Sequence, residues 1–210
     1  GHVLVPSGDP ALTRALLARG AMRVVQHKAK VQTRHGLVTK DGKSLYFTAN
    51  DTRPDGYAVY RYDLAKGTTD RVYDEPGLWG VADERDGTLL LVKATGALTS
   101  EYHELDTKTG QLLPVLGYGE AEEYEARYAS SPGELVVLTN KDSEYRRLYR
   151  YRYGRAQPKF GELDPITKEI SHDVSSFAID GARTHIVYTI NERGYTRPGA
   201  LDARSYAPIA

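Results

Sequence analysis

Short, dense apolar runs recur along the chain, each just after a polar turn. "KDGKSLYFTAN" (Lys40–Asn50) returns as "RDGTLLLVKAT" (Arg85–Thr95), "SPGELVVLTNK" (Ser131–Lys141) and "IDGARTHIVYTI" (Ile179–Ile190). The turn glycines Gly42, Gly87, Gly133 and Gly181 lie 45, 46 and 48 residues apart. The runs are Leu45-Tyr46-Phe47, Leu89-Leu90-Leu91-Val92, Leu135-Val136-Val137-Leu138 and Ile186-Val187-Tyr188. They are too short for buried helices and rich in strand formers. An unbroken apolar run is a strand buried on both faces. The segment after each run alternates instead. Tyr60, Tyr62 and Leu64 share one face and Val59, Arg61 and Asp63 the other, and Tyr149, Tyr151 and Tyr153 alternate with Leu148, Arg150 and Arg152. Polar turns follow at Asp63–Thr69, Leu105–Gln111 and Leu201–Ala207, where Asp caps the turn and Gly supplies a positive φ. Short closing strands are expected at Asp70–Tyr73 and Leu112–Leu116.

A period of this length, written in strands, is that of a four-stranded propeller blade. The pattern predicts an all-β chain: a β-propeller of about four four-stranded antiparallel blades, near residues 34–75, 76–118, 119–168 and 169–210. The third unit is the least regular, because Pro158 and Pro165 fall where a turn and outer strand belong. An antiparallel sandwich is the competing architecture. Residues 1–33 form a separate extension. Within it Asp9 as N-cap, Pro10 at the first helical position, Leu12, Leu16 and Leu17 at helical spacing, and Gly20 as C-cap predict a short helix.

Composition narrows the partners. The 28 basic and 28 acidic residues cancel, so no overall field draws the chain to nucleic acid or an anionic membrane. No apolar run approaches the roughly 20 residues that span a bilayer. The absence of Cys excludes disulfides, thiolate catalysis and Cys-ligated zinc. The start "GHVLVPSGDP" shows no signal-peptide pattern. Sixteen Tyr against three Phe suit strands with one apolar face and one wet edge.

Several of these segments resemble the β-propeller domain of S9 (prolyl oligopeptidase family) serine peptidases, near the dipeptidyl and acylaminoacyl peptidases. They are "KDGKSLYFTAND" with "YRYDLAKG", "RDGTLLLVKAT" with "ELDTKTGQLLPVL", "SEYRRLYRYR", and "SHDVSSFAIDGARTHIVYTINERGYTR" with "ALDARSYAPIA". The likeness covers about 34–210. The turn–strand–turn unit is shared with TolB-like propellers, and the last segment is more particular to the S9 group. The resemblance implies a non-catalytic propeller that caps an α/β-hydrolase domain and filters peptides, with the catalytic serine, acid and histidine in that other domain, outside these residues. It implies a peptide substrate or a hydrolase domain as partner, and a bacterial periplasmic or secreted setting over a cytoplasmic one. Such propellers usually carry seven or eight blades. Three readings therefore stand: a fragment, a reduced propeller, or two copies completing one ring. The alternative function is a stand-alone TolB-like propeller that binds a protein.

A direct search for chemistry finds little. No Ser has the Gly-x-Ser-x-Gly setting of a nucleophile elbow, and the six His lack metal-ligand spacing. No cofactor or metal is expected, and a propeller enzyme with a metal in its channel is the least favoured reading. His103 and Glu104 point to opposite faces, so His103 is read as structural. Asp51 and Asp55 in "NDTRPDG" are read as hairpin residues, not cation ligands. The Tyr/Arg strand Glu144–Arg155 is read as structural, not as a nucleic-acid platform. What remains is the acidic segment Glu120–Tyr128 and the blade entry His172-Asp173. Glu122, Glu123, Glu125, His172 and Asp173 are the candidate substrate- or partner-contact residues, since paired carboxylates bind an ammonium well.

Overall fold

The computed structural model describes residue 20 and residues 23–153, 161–167 and 169–209. These fold into fifteen strands in four antiparallel sheets, with no helix among the described residues. The first sheet is β1 (Thr33–Val38), β2 (Ser44–Ala49), β3 (Ala58–Asp63) and β4 (Thr69–Tyr73). The second is β5 (Leu78–Arg85), β6 (Thr88–Ala94), β7 (Ser100–Asp106) and β8 (Leu112–Leu116). The third is β9 (Glu125–Tyr128), β10 (Glu134–Thr139), β11 (Arg147–Arg152) and β12 (Leu163–Pro165). The fourth is β13 (Val174–Ile179), β14 (His185–Glu192) and β15 (Tyr195–Asp202). Each sheet is an up-and-down meander in chain order. In the fourth, a bridge between Leu201 and Pro208 begins the closing strand. This is the propeller architecture that the period predicts. The helix expected near Asp9–Gly20 lies outside the described residues.

Consecutive sheets pack face to face, and this is where the core sits. Tyr46 and Val59 of the first sheet meet Trp79, Leu89, Leu91 and Leu105 of the second. Leu90, Tyr102 and Leu116 of the second meet Tyr124, Tyr128, Leu135 and Tyr151 of the third. Val136, Leu138 and Leu148 of the third meet Val174, Phe177, Ile186 and Leu201 of the fourth. The middle strands β2, β6 and β10 are thus buried on both faces, as their unbroken apolar runs require. The middle strand β14 is not: it alternates, with Ile186 buried and Val187 53% exposed.

The turns repeat one device. Asp63 accepts hydrogen bonds from the N–H groups of Ala65 and Lys66, Asp106 from Lys108 and Thr109, and Asp202 from Arg204 and Ser205. The left-handed position belongs to Gly67 (φ 72°) and Gly110 (φ 74°), and in the fourth sheet to Tyr206 (φ 59°). The β13–β14 turn corrects the sequence reading. Gly181, expected to match Gly42, has no positive φ. Its place is taken by Arg183 (φ 54°), whose N–H donates to the Asp180 carbonyl as that of Gly42 (φ 69°) does to Thr39.

A left-handed arginine costs about 1 kcal/mol relative to glycine, and its contacts show what offsets this. Its Nη1 donates to Asp83 Oδ2 (3.0 Å) and the Tyr128 carbonyl (2.8 Å). Its Nη2 donates to Asp83 Oδ1 (2.9 Å) and the Glu84 carbonyl (2.9 Å). Asp83 is aimed by a bulge in β5 and also accepts the Tyr128 N–H at 2.8 Å. The Tyr128 ring lies near the guanidinium carbons of Arg85 (5.0 Å) and Arg183 (5.7 Å). One ion pair thus joins the second, third and fourth sheets. Arg183→Ala is expected to cost about 2–3 kcal/mol, because it strands a largely buried carboxylate. Urea unfolding checks this. In a double-mutant cycle with Asp83→Asn most of the loss should appear as coupling, and additive losses would contradict a direct clasp.

Candidate functional site

The β1–β2-type turns gather at one end of the sheets. The opposite end carries the β2–β3-type loops and the crossings between sheets, and here the candidate residues fall. Glu123 and Asp173, 50 residues apart in sequence, meet at Arg146. Arg146 Nη2 lies 3.2 Å from Glu123 Oε1. Its backbone N–H donates to Asp173 Oδ1 at 2.8 Å, and its carbonyl accepts the Val174 N–H at 2.9 Å. Asp173 in turn accepts the Asn191 N–H on its own carbonyl. Glu125 opens β9 and pairs with Arg127 at 3.4 Å. Glu122 is half-buried, and its carbonyl accepts the Ser100 N–H at 3.3 Å. His172 is half-buried beside Asp173 and is not drawn to the glutamates by any of these bonds.

The other loops at this end are tied in the same way. Glu120 accepts Lys141 Nζ at 2.7 Å and the Tyr124 hydroxyl. Burial alone would raise the Glu120 carboxyl, but the bonds from Lys141 and Tyr124 outweigh it and hold it below the usual range. The Tyr124 hydroxyl is pushed well up, by burial first and then by Glu120. At the first sheet, Asp74 gathers Arg71 (2.8 Å), Thr52 (2.9 Å) and Arg53 (3.2 Å). Asp51 of the "NDTRPDG" loop accepts the Tyr60 hydroxyl at 2.6 Å. The result is a belt of ion pairs across the loop end. Glu120, Glu123 and Glu125 already face cations, so an incoming ammonium must displace Lys141, Arg146 or Arg127 to reach them.

Sequence reasoning missed Arg146 and Lys141 as the partners of the acidic segment. The signal was "NKDSEYRR", a basic loop one strand beyond the acidic one. The strand arginines beyond this loop are engaged elsewhere: Arg150 pairs with Asp164, and Arg152 with Glu134 at 2.9 Å.

His103 sits in the core between the first and second sheets. Its ring meets Trp79 and Tyr118 edge-on, with centroids 5.2 and 6.2 Å away. Glu101 shares its face, and their closest approach of 3.5 Å is an ion-pair distance that leaves both imidazole nitrogens and Glu101 Oε2 without hydrogen bonds. Burial dominates: it lowers the His103 pKa to about 4, with Glu101 opposing and Lys93 assisting.

Meandering sheets stacked face to face through a continuous core define the chain as a β-propeller. No protein-family model matches the sequence, and no curated protein matches it either. Solved structures do. TolB from Acinetobacter baumannii superimposes with TM-score 0.63 at 17% identity, over 83% of this chain and 41% of that one. A prolyl endopeptidase gives 0.64 at 15% identity, over 85% and 27%. Prolyl oligopeptidase B from Galerina marginata gives 0.61 at 13% identity, over 86% and 26%. At these identities the shared property is the fold, and the chain spans less than half the length of each. The sequence resemblance and the structural neighbours thus agree on the β-propeller fold.

Two tests follow. Arg146→Ala leaves Glu123 unpaired and should cost about 1 kcal/mol. It should speed amide exchange at Ser100, whose N–H donates to the Glu122 carbonyl beside Glu123, more than in β10, and an unchanged rate there would show that the Arg146 side chain does not hold the acidic loop. For His103, the unfolded chain binds a proton near pH 6.5 and the folded chain only near pH 4. Stability should therefore fall as pH drops through this window, by at most roughly 1.4 kcal/mol per pH unit. His103→Gln should flatten the profile, and an unchanged slope would assign the acid sensitivity elsewhere.

Proposed function

We propose that the chain is a non-catalytic propeller module of an S9-like serine peptidase, which docks on an α/β-hydrolase domain and limits peptide access to it. The observation that carries this reading is the superposition of 85% of the chain on a prolyl endopeptidase at TM-score 0.64. It is supported by "DVSSFAID" and "VYTINERGYTR", the segments that most resemble the S9 group. The contact surface in this proposal is the loop end, with Glu122, Glu123, Glu125, His172 and Asp173 toward the peptide or the hydrolase. Ion-paired loops suit such a surface. They hold a fixed shape and offer charge complementarity, which sets orientation and on-rate more than raw affinity.

A TolB-like protein-binding propeller is the second reading. It is favoured by the larger share of the neighbour that is matched, 41% for the Acinetobacter baumannii TolB against 27% for the prolyl endopeptidase.

A fluorophosphonate probe that labels activated serines should leave the chain unlabelled, and labelling would overturn the non-catalytic assignment. An S9-type hydrolase domain added in excess should slow hydrogen exchange in the loops near Glu120–Glu125 and Asp142–Arg146. Protection by a TolB-binding protein instead would favour the second reading.

A further inference from the structure

Two polar side chains of the second sheet are buried without the partners their chemistry calls for. Glu101 and His103 stand two residues apart on β7, so they leave the strand on one face. Register sets them beside Lys93 and Leu91 of β6, on the side that meets the first sheet. This Glu-x-His spacing is one that a search for paired histidines passes over. Both residues are more than nine-tenths buried, at 8% and 5% exposure. Glu101 Oε1 accepts the Gly119 N–H at 3.3 Å. Glu101 Oε2 and the two imidazole nitrogens make no hydrogen bond.

The distance between them is informative. A histidine and a carboxylate that form a salt bridge close to a charge-assisted hydrogen bond of about 2.7–2.9 Å. These two stop at 3.5 Å, Nε2 to Oε2. That is the spacing of neighbouring ligands on one ion: metal bonds of about 2.0–2.2 Å at tetrahedral angles put two ligand atoms roughly 3.3–3.6 Å apart. An imidazole beside a carboxylate suits zinc and its first-row neighbours, whereas magnesium and calcium take oxygen ligands.

The surroundings are closed on the core side and movable on the other. The Trp79 ring lies 5.2 Å from the imidazole, and Lys93 Nζ rests over the same indole at 5.5 Å. On the solvent side stands Tyr118, 56% exposed, with its ring 6.2 Å from that of His103. It is set between Gly117 and Gly119, both at φ 74°. A Cβ on Gly117 would come within 2.8 Å of the Ser100 carbonyl oxygen, while one on Gly119 would meet nothing within 4 Å. Among the described residues no group of three or more His, Cys, Asp or Glu surrounds a common point.

We propose that Glu101 Oε2 and His103 Nε2 form a two-residue site for a zinc-class divalent cation, which enters past Tyr118. Water fills the remaining positions, so the ion is exchangeable and its affinity modest. It offsets the charge of a buried carboxylate and, because Glu101 also holds Gly119, ties β7 to the crossing between the second and third sheets. The site uses none of the residues assigned above to peptide or hydrolase contact, so it stands or falls apart from that reading.

Trp79 is the only tryptophan of the chain and serves as the reporter. Cobalt(II) quenches a nearby indole, and zinc, with its filled d shell, does not. Cobalt titrated into the full chain at neutral pH should quench Trp79 along a saturable curve, and excess zinc should restore the emission. His103→Gln and Glu101→Gln should each raise the half-quench concentration by at least about tenfold, since loss of an outer-shell partner alone costs that much. Tyr118→Ala should speed the approach to the endpoint several-fold, and an unchanged rate overturns entry past Tyr118. No quenching, quenching that does not saturate, or an unchanged midpoint in both ligand variants overturns the site. A second measurement needs no variant to fold. In nitrogen spectra of the six imidazoles of the unmodified chain, His103 is identified by its contact with the Trp79 ring. It should shift as zinc is added, and zinc that shifts only the other five overturns the proposal.

Discussion

The arrangement rests on a carboxylate in the second sheet and a guanidinium in the fourth. Sheet stacking is driven by apolar burial, which is strong but does not fix direction. Two flat faces of leucine and valine can slide or rotate with little penalty. The Arg183–Asp83 pair can do neither, because a planar fork meets a carboxylate in one geometry. It also takes in the carbonyls of Glu84 and Tyr128, so the turn ends of three sheets are set together. The pair is largely buried, with side-chain exposures of 18% and 15%, so solvent screens it little. The left-handed backbone at Arg183 is best understood as part of this device, since a glycine there would relax the turn and lose the clasp.

The belt at the opposite end plays a different part. Its ion pairs are more exposed, with Arg146 and Glu123 at 27% and 35% and Lys141 and Glu120 at 31% and 24%. Each such pair is weak alone. Their effect is to choose loop conformations within the packing that the sheets impose. The two ends are thus stiff for different reasons: one by a buried fork across three sheets, the other by neighbouring loops tied two at a time. A surface used for docking benefits from the second kind, since exposed ion pairs can exchange partners at modest cost.

Much of this was legible in the chain. The unbroken runs gave the buried middle strands, and the Asp-led turns at Asp63, Asp106 and Asp202 gave the third-to-fourth-strand connections, because both are local. What failed was non-local. Gly181 looked like the turn glycine, yet the chain turns two residues later, at Arg183, since the reach to Asp83 outweighs a weak local preference. Which cations the acidic segment meets was not legible, because Lys141 and Arg146 lie beyond the next strand, and a one-dimensional pattern does not show which loops share an end. The first two members of the candidate set that the fold does unite, Glu123 and Asp173, are joined by a residue that was read only as part of a basic strand. The exposed row at Val187 was hidden because "HIVYTI" reads like its buried counterparts. Period and composition describe a strand, and whether anything covers its second face is a property of the neighbouring sheet.

That last point bears on the two outer faces of the stack. Among the described residues the stack has two outer faces, one on the first sheet and one on the fourth. At the first sheet the chain covers the face with Val25 and Val31, which replace a neighbouring sheet with a short, sparsely bonded segment. At the fourth the outward rows are mostly small, with Ala178, Ala200, Ser176, Thr189 and Pro198 around the exposed Val187 and Ile209. Small side chains reduce the apolar area exposed to water, so an open face of this kind costs far less than an open row of Leu45, Phe47, Tyr60 and Tyr62 would. Both faces of an internal sheet are bulky, with Leu90, Tyr102 and Leu116 of the second turned forward and Trp79, Leu89 and Leu91 turned backward, so each side needs the cover that the neighbouring sheet supplies.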